Sequence, residues 1–166
     1  MKHLLLTLFF LTTTAIWSQS ATSYFDKALK KAEARNYKGA ISDYNKAISM
    51  NSKFVEAYQN RAVAKFNLND YKGALADFNK AIELDSMNSD AFTGRANVNY
   101  KLMNFKETIA DCSSCIGLNP KDYIAYNLRA LAFNKIGDKK SGCEDFTKAI
   151  ELGSKGAVKN RAVFCK

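Results

Sequence analysis

The chain has 166 residues, of which 47% are hydrophobic, and its formal net charge at pH 7 is +9. That length and apolar content suit one domain with a single core, and the basic balance favours acidic partners or surfaces without identifying one. The only histidine, His3, and the only tryptophan, Trp17, both lie near the start of the chain. The remainder therefore lacks the side chain that most often acts as a general base in catalysis.

Residues 1–20 are predicted to be a signal peptide. A short basic start precedes the apolar run LLLTLFFLTTTAIW, which covers residues 4–17. A membrane-spanning helix needs about 20 apolar residues, so this run is short for an anchor. We expect it to be cleaved, which leaves no transmembrane span in an exported protein that is periplasmic or secreted.

Residues recur at a fixed spacing of 34 through nearly all of the remaining chain. The copies cover residues 21–54, 55–88, 89–122 and 123–156. The second half of each copy opens with an Asn or Asp that suits a helix N-cap, and apolar residues follow at helical spacing. These opening residues are Asn36, Asp70, Asn104 and Asp138. A similar stripe in each first half predicts two helices per copy, which bury their apolar faces only against neighbouring copies.

This unit closely resembles the tetratricopeptide repeat family, which has an aromatic residue near the start of the first helix and small residues where helices touch. The aromatic residues here are Tyr24, Tyr58, Phe92 and Tyr126, and the small residues include Ala28, Ala62, Ala96 and Ala130. One departure is Lys139, which replaces an aromatic residue at the start of the last second helix. The resemblance implies an all-α fold, a right-handed α-solenoid of four antiparallel helix pairs.

The closing segment, residues 157–166, is predicted to form a capping helix. Its Arg161-Ala162 pair repeats Arg129-Ala130 at a spacing of 32 instead of 34. A terminal helix has neighbours on one side only and frays easily, so a cross-link to the last full repeat would hold it. We therefore predict a disulfide between Cys143 and Cys165, which an exported protein can retain.

The sequence DCSSC contains a second cysteine pair, Cys112 and Cys115. The repeat register places both in columns that the other copies fill with core residues of the second helix, so packing is the favoured interpretation. A thioredoxin-type site would place such a pair at a helix N-terminus after a strand. A metal site would need two further ligands, normally Cys or His at suitable spacing, and the mature chain has no histidine.

Two columns of charge recur with the repeat. Arg61, Arg95 and Arg129 keep step with Asp77, Asp111 and Asp145, which predicts a ladder of ion pairs between helices in preference to a row of ligand-binding cations. Lysines form the other column, at Lys38, Lys72, Lys106 and Lys140. We interpret the lysine column as a solvated face, with contact to an anionic surface as the alternative.

The resemblance also implies a binding surface, since members of the family use the inner face of the first helices. Amides and aromatic rings alternate there, and an amide can both donate to and accept from a peptide backbone. The candidate partner-binding residues are Gln59, Asn60, Val63, Phe66, Asn67, Thr93, Asn97, Tyr100, Lys101, Asn127, Leu131 and Asn134. A subclass that binds chaperone tails uses a basic and asparagine clamp, of which only Asn60 is present. Phe25, Leu29, Asp90 and Gly94 occupy the other clamp positions.

The sequence therefore predicts a non-enzymatic adaptor that binds a protein or peptide partner, with no cofactor, no metal and no nucleic acid. A nucleophile with an adjacent base and a phosphate-binding loop are both missing from the pattern. One alternative is a structural envelope protein that self-associates or binds an anionic surface. Another, which we favour less, is a thiol redox protein that uses Cys112 and Cys115.

Overall fold

The computed structural model describes residues 21–165, and all regular structure within that range is helical. The predicted signal peptide lies outside these residues. The helices are α1 over residues 21–33, α2 (Tyr37–Met50), α3 (Val55–Asn67), α4 (Tyr71–Leu84), α5 (Ser89–Lys101), α6 (Phe105–Leu118), α7 (Tyr123–Lys135), α8 (Lys139–Glu151) and α9 (Lys155–Phe164). Over the part of the chain described, none of these helices has the length and apolar character needed to cross a membrane.

The helices pack in sequential order. Helices α1 to α8 form four pairs, and the first helix of each pair also touches the second helix of the pair before it. Each core cluster accordingly includes residues from two consecutive repeats, as with Ala28, Tyr44 and Ala57 from α1, α2 and α3. The predicted fold class, an all-α solenoid of helix pairs with a closing helix, is confirmed.

Alanine lets these helices approach closely. One alanine recurs at the same position of every first helix, and all four copies of it, Ala28, Ala62, Ala96 and Ala130, are fully buried. A fully buried methyl group fills little space, so the axes of neighbouring helices can lie near each other and larger side chains pack around the contact. The small residues of the repeat are therefore part of the core.

Turns and caps follow the sequence pattern with one exception. Asn36, Asp70 and Asp138 accept a hydrogen bond from a backbone N–H of the helix they cap, as predicted. Asn104 also lies at the N-cap position but makes no such bond, and its amide instead donates to Asn99 at 3.4 Å. Asn99 is buried and donates to Asp111, so the cap of α6 is joined to a polar network in the core.

Each arginine of the predicted ladder joins three helices. The Arg61 guanidinium donates two bonds to the carboxylate of Asp77, at 2.8 and 2.6 Å, and a third to Asn45 of the preceding pair at 2.7 Å. Arg95 binds Asp111 and Asn79 in the same way. A ring lies against each guanidinium, at 5.3 Å for Tyr58 and Arg61.

The third arginine repeats this arrangement with a hydroxyl in place of the amide. Arg129 binds Asp145 and donates to Ser113 of the preceding pair. The first repeat has Lys27 at this position, and there Lys31 binds Asp43 instead. The predicted ladder is thus confirmed, and it extends from the second repeat to the fourth.

The closing helix begins at Lys155, before the predicted boundary at residue 157. Gly153 has a φ of +96°, a conformation that glycine adopts without strain, and Ser154 caps α9 through its hydroxyl. This short turn explains the spacing of 32 at the Arg-Ala pair. The predicted Cys143–Cys165 disulfide is present, with 5.8 Å between the Cα atoms. The Phe164 ring stacks on Phe146 at 6.1 Å, which adds an apolar contact to the cross-link.

Replacing Arg95 by lysine should lower the free energy of unfolding by about 1–2 kcal/mol, because an ammonium group cannot bind Asp111 in two places and also reach Asn79. Urea denaturation of Arg95→Lys measures the loss. Lys106→Gln, on the exposed side of α6, is the control and should stay within about 0.5 kcal/mol of the parent chain. Equal losses in the two variants would mean that the ladder does not stabilise the fold.

Replacing Cys165 by serine should release α9. The disulfide closes a loop with a sequence separation of 22, and a loop of that size stabilises a fold by roughly 3 kcal/mol in the chain-entropy picture. Hydrogen exchange should therefore accelerate first in α9, and a reductant should have the same effect on the parent chain. Adding reductant to Cys165→Ser serves as the control and should change nothing further. Slow exchange in α9 of the reduced parent chain would contradict this role.

Candidate functional site

A cleft of about 260 Å³ lies where α3 meets α5, and we call it the α3–α5 cleft. Four predicted partner-binding residues line it: Val63, Phe66, Asn67 and Asn97. The remaining lining residues, Phe78 and Gly94, were not among the predicted binding residues. The structure thus brings residues of two consecutive repeats to one concave site with an apolar floor and amides at its edge.

Gly94 keeps this cleft open. A Cβ atom built at Gly94 would overlap the ring of Phe78, which is 2% exposed. The other copies place Asp26, Asn60 and Leu128 in this column, so Gly94 alone among the four has no side chain there. Glycine in a helix interior costs about 1 kcal/mol relative to alanine, and this unusual residue was the signal in the sequence that could have revealed the cleft.

The cleft offers both hydrogen-bond donors and acceptors. The Asn67 amide donates to the Val63 carbonyl at 2.8 Å, and the Asn97 amide donates to the Thr93 carbonyl at 2.9 Å. These bonds hold each amide against its own helix and use one N–H of each. Among the described residues, no hydrogen bond occupies the Oδ1 atom of either asparagine. Each rim amide can therefore accept one hydrogen bond and still donate another.

Three of the predicted residues use their polar groups at joints between repeats. Gln59 accepts a bond from Asn88 at 3.0 Å, and Asn127 accepts one from Asn160 at 3.0 Å. The Thr93 hydroxyl lies 2.9 Å from the Cys115 sulfur and 3.4 Å from a carboxylate oxygen of Asp122. Asn88 and Asp122 are the N-cap residues of α5 and α7, and Asn160 lies in α9, so these bonds position one first helix against the start of the following one or against α9. Fewer of these polar groups are therefore available to a partner.

Three further predicted residues, Asn60, Leu131 and Asn134, do not line the cleft. Asn60 donates to the Glu56 carbonyl, in the same manner as Asn67 and Asn97. The Asn134 amide packs in the space above Gly142 of α8, and Leu131 packs against the last core cluster. Neither is placed at the α3–α5 cleft.

An aromatic pair and a lysine extend this face beyond the cleft along α5. The Tyr100 ring meets Phe105 edge to face at 5.5 Å, and burial raises the pKa of the Tyr100 hydroxyl. Tyr100 therefore stays protonated at neutral pH and can donate a hydrogen bond. Lys101 follows it in the chain and is exposed.

The two free cysteines lie in the core. Cys112 and Cys115 are both fully buried, and Leu128 of the next repeat packs against them. Burial raises the pKa of Cys112, and it raises that of Cys115 to about 11. A thiol that stays protonated is a poor nucleophile, so this environment favours the packing interpretation. Within residues 21–165, no group of three or more His, Cys, Asp or Glu residues could hold a metal ion.

Comparison with solved structures identifies several solenoids of the same shape. MamA, residues 41 to the end, from Desulfovibrio magneticus RS-1 superposes with a TM-score of 0.76 and 22% identity, over 81% of this chain and 76% of that one. YrrB, described as a TPR protein with an unusual peptide-binding site, has a TM-score of 0.74 and 22% identity over 85% of this chain and 74% of its own. At these identities the likeness concerns the fold.

The first TPR of Spaghetti (RPAP3), solved with the HSP90 peptide SRMEEVD, has a TM-score of 0.71 and 25% identity over 72% of this chain and 94% of that chain. Among curated proteins, none matches this sequence. Family models described as tetratricopeptide repeat match residues 55–88 and 123–152, which are the second and fourth copies of the unit. With the stacked helix pairs, the family models and these neighbours in agreement, the chain belongs to the tetratricopeptide repeat family.

Proposed function

We propose that this protein is a non-enzymatic adaptor that binds an extended segment of a partner protein at the α3–α5 cleft. Its repeats form a protein–protein interaction module, as in the family at large. The observation that carries the proposal is the cleft itself, which combines an apolar floor with amides at the rim and opens between two consecutive first helices.

The size of the cleft limits what can enter it. Sites for drug-sized ligands usually have volumes of about 300–1,000 Å³. The α3–α5 cleft, at about 260 Å³, is smaller and suits a single apolar side chain. Phe66 and Phe78 would surround that side chain, while Asn67 and Asn97 would bind the backbone on either side of it. An extended segment fits this chemistry because its backbone N–H and C=O groups are free to pair with amides.

Two structural neighbours support a peptide partner, although they do not identify it. YrrB has a peptide-binding site according to its description, and the Spaghetti domain was solved with SRMEEVD. This chain lacks the basic residues of a chaperone-tail clamp, and Asp90 and Gly94 occupy two of those positions. The cleft floor is apolar, so we propose a partner segment that presents an apolar side chain and not an acidic terminus.

A second candidate function is contact with an anionic surface. Lys38, Lys72, Lys106 and Lys140 are all exposed, as a solvated column should be. Neighbouring lysines are partly neutralised, since Lys80 pairs with Glu83 and Lys148 with Glu151. The exposed column supports electrostatic attraction but offers no shaped site, and we therefore place it second. The buried thiols support a redox function least.

We further propose that the protein acts after export. The Cys143–Cys165 disulfide supports this, because disulfides form and persist in oxidising compartments. The apolar run at residues 4–17 supports removal of a signal peptide.

Replacing Phe66, Asn67 and Asn97 together by alanine should abolish partner binding, because the variant loses one wall of the cleft and both rim amides. Each lost contact weakens binding by about 1–3 kcal/mol, so the three together should lower the affinity by at least about a hundredfold. Affinity capture with the parent chain identifies the partner, and titration with a peptide from its bound segment gives the affinity.

Two controls accompany this experiment. Circular dichroism should show unchanged helicity in the triple variant, and a variant with Lys72 and Lys106 replaced by glutamine should bind the partner as the parent chain does. Loss of binding in the lysine variant alone would favour the anionic-surface function. Full binding by the triple variant would place the partner on another face.

Export predicts that the protein isolated from its native cells begins near residue 21 and lies in the envelope or the medium. Mass spectrometry of the intact protein after cell fractionation measures both properties. A deletion of residues 2–20 is the matched control and should leave the protein in the cytoplasm. Recovery of the parent chain from the cytoplasm with residues 1–20 intact would remove this part of the proposal.

A further inference from the structure

A second cleft, of about 480 Å³, lies at the end of the solenoid between α8 and α9, far along the chain from the α3–α5 cleft. We call it the end cleft. Lys139, Lys140 and Glu144 of α8 line one side, and Arg161 of α9 lines the other. Cys143 and Cys165 also line this cleft, and the disulfide between them holds α9 against α8.

The end cleft has an internal counterpart. A cleft of about 360 Å³ is lined by Leu75 and Asn79 of α4 and by Arg95 and Asn99 of α5. Leu75 and Cys143 occupy the same column of the repeat, and Arg95 and Arg161 occupy the same place in their Arg-Ala pairs. The two clefts therefore occupy equivalent positions at the α4–α5 and α8–α9 joints of the solenoid, with the α6–α7 joint between them.

The equivalent clefts differ in what covers them. Helix α6 closes the internal cleft and contributes Glu107 and Asp111 to its lining. Both carboxylate oxygens of Asp111 accept hydrogen bonds from one edge of the Arg95 guanidinium, from Nε at 3.0 Å and from Nη2 at 2.6 Å. Between residues 21 and 165, no helix occupies the corresponding place beside α9. The end cleft is thus a joint whose covering helix is not supplied by the described chain.

Helix α9 shows the same lack of a partner along its outer face. Arg161 is exposed and forms no ion pair with any described residue, whereas Arg61, Arg95 and Arg129 are each paired with a buried aspartate. Val158 is 53% exposed, and Ala162 is exposed although its counterpart Ala130 is fully buried. In the full repeats, the second helix of the pair covers these positions.

The charge of the end cleft indicates the chemistry of the missing helix. Lys139, Lys140 and Arg161 contribute three positive charges against the single negative charge of Glu144, which leaves a net charge of +2. Lys139 is also the one departure from the aromatic column at the start of the second helices. An acidic helix would gain from this field, as Asp111 does beside Arg95.

We propose that the end cleft binds an acidic amphipathic helix of a second protein, which completes a fifth helix pair with α9. A carboxylate of that helix pairs with Arg161, and small apolar residues cover Val158 and Ala162. A second copy of this chain fits less well, because its own second helices are packed in their pairs and two end clefts placed face to face would repel. This surface is separate from the α3–α5 cleft and does not depend on the function proposed for it.

The second helix α4 of this chain provides a probe with the required acidic and amphipathic character. The peptide of residues 70–85, DYKGALADFNKAIELD, carries Asp77, which pairs with Arg61 in the intact protein. Its two lysines and four acidic residues give a net charge of −2. Titration of the isotope-labelled mature chain with this peptide, followed by NMR, reports both the affinity and the residues affected.

The proposal predicts shifts at Val158, Arg161 and Ala162. The peptide with Asp77→Asn should bind about tenfold more weakly, because it lacks the charged acceptor for the guanidinium. Arg161→Gln, a substitution at an exposed position, should weaken binding of the parent peptide by a similar factor. The parent and Asp77→Asn peptides should then bind this variant with equal affinity. Lys106→Gln, from the same column as Lys140, is the matched control and should bind the parent peptide normally.

Several outcomes would overturn the proposal. These are no binding at roughly millimolar peptide, shifts confined to α3 and α5, or equal binding by the parent chain and Arg161→Gln. Anionic phosphatidylglycerol vesicles serve as a separate probe. If they bind in an Arg161-dependent manner while the peptide does not bind, the end cleft recognises a membrane surface and the proposal for a protein helix is wrong.

Discussion

The solenoid depends on a guanidinium that is shared among three helices. Each arginine of the ladder lies on a first helix, binds a buried aspartate on the second helix of its own pair, and reaches an amide or hydroxyl on the pair before. Each guanidinium also lies over an aromatic ring of its own helix. Because a planar group with five N–H donors is needed to satisfy all of these partners, the arginine sets the distance and angle between neighbouring pairs. Alanine contacts at the same joints let the helices come close enough for these bonds to form.

A second constraint is side-chain volume. At two successive joints, a change of size in one column of the repeat is matched by an opposite change in the column that packs against it. The column of Phe78 and Cys112 on the second helices faces the column of Gly94 and Leu128 on the next first helices. Between α4 and α5, the large Phe78 ring meets Gly94, which has no side chain. Between α6 and α7, Leu128 fills the space beside the small Cys112. This exchange accounts for the free cysteines as packing residues and for the α3–α5 cleft as the space beside a glycine. One requirement, close packing, thus explains both a feature that resembled a redox site and the feature that we propose as a binding site.

A repeat protein presents two kinds of surface, and this chain carries a candidate interaction on each. The faces along the solenoid carry side chains that do not join one helix pair to the next, such as Asn67 and Asn97. The ends carry side chains that would join helix pairs at an internal joint but that have no adjacent helix among the described residues, such as Arg161 and Ala162. A residue of the first kind can vary from copy to copy, whereas a residue of the second kind retains the chemistry of the internal joint. The end cleft therefore indicates its partner more closely than the α3–α5 cleft does.

The sequence by itself determined the repeat, the helix pairs, the arginine ladder and the pairing of Cys143 with Cys165, because each depends on residue type at a fixed spacing. It also predicted Val63, Phe66, Asn67 and Asn97 as inner-face residues, which line the cleft. Only the tertiary structure showed that Gly94 opens that cleft, that Gln59 and Thr93 meet the N-cap residues of α5 and α7, and that Asn127 bonds to Asn160 of α9. It also showed that Asn134 packs over Gly142, and that Arg161 of α9 has no acidic partner among the described residues. A one-dimensional pattern specifies which face of a helix a residue occupies, but distances between atoms of different helices decide whether that residue meets a neighbour or remains available to a partner.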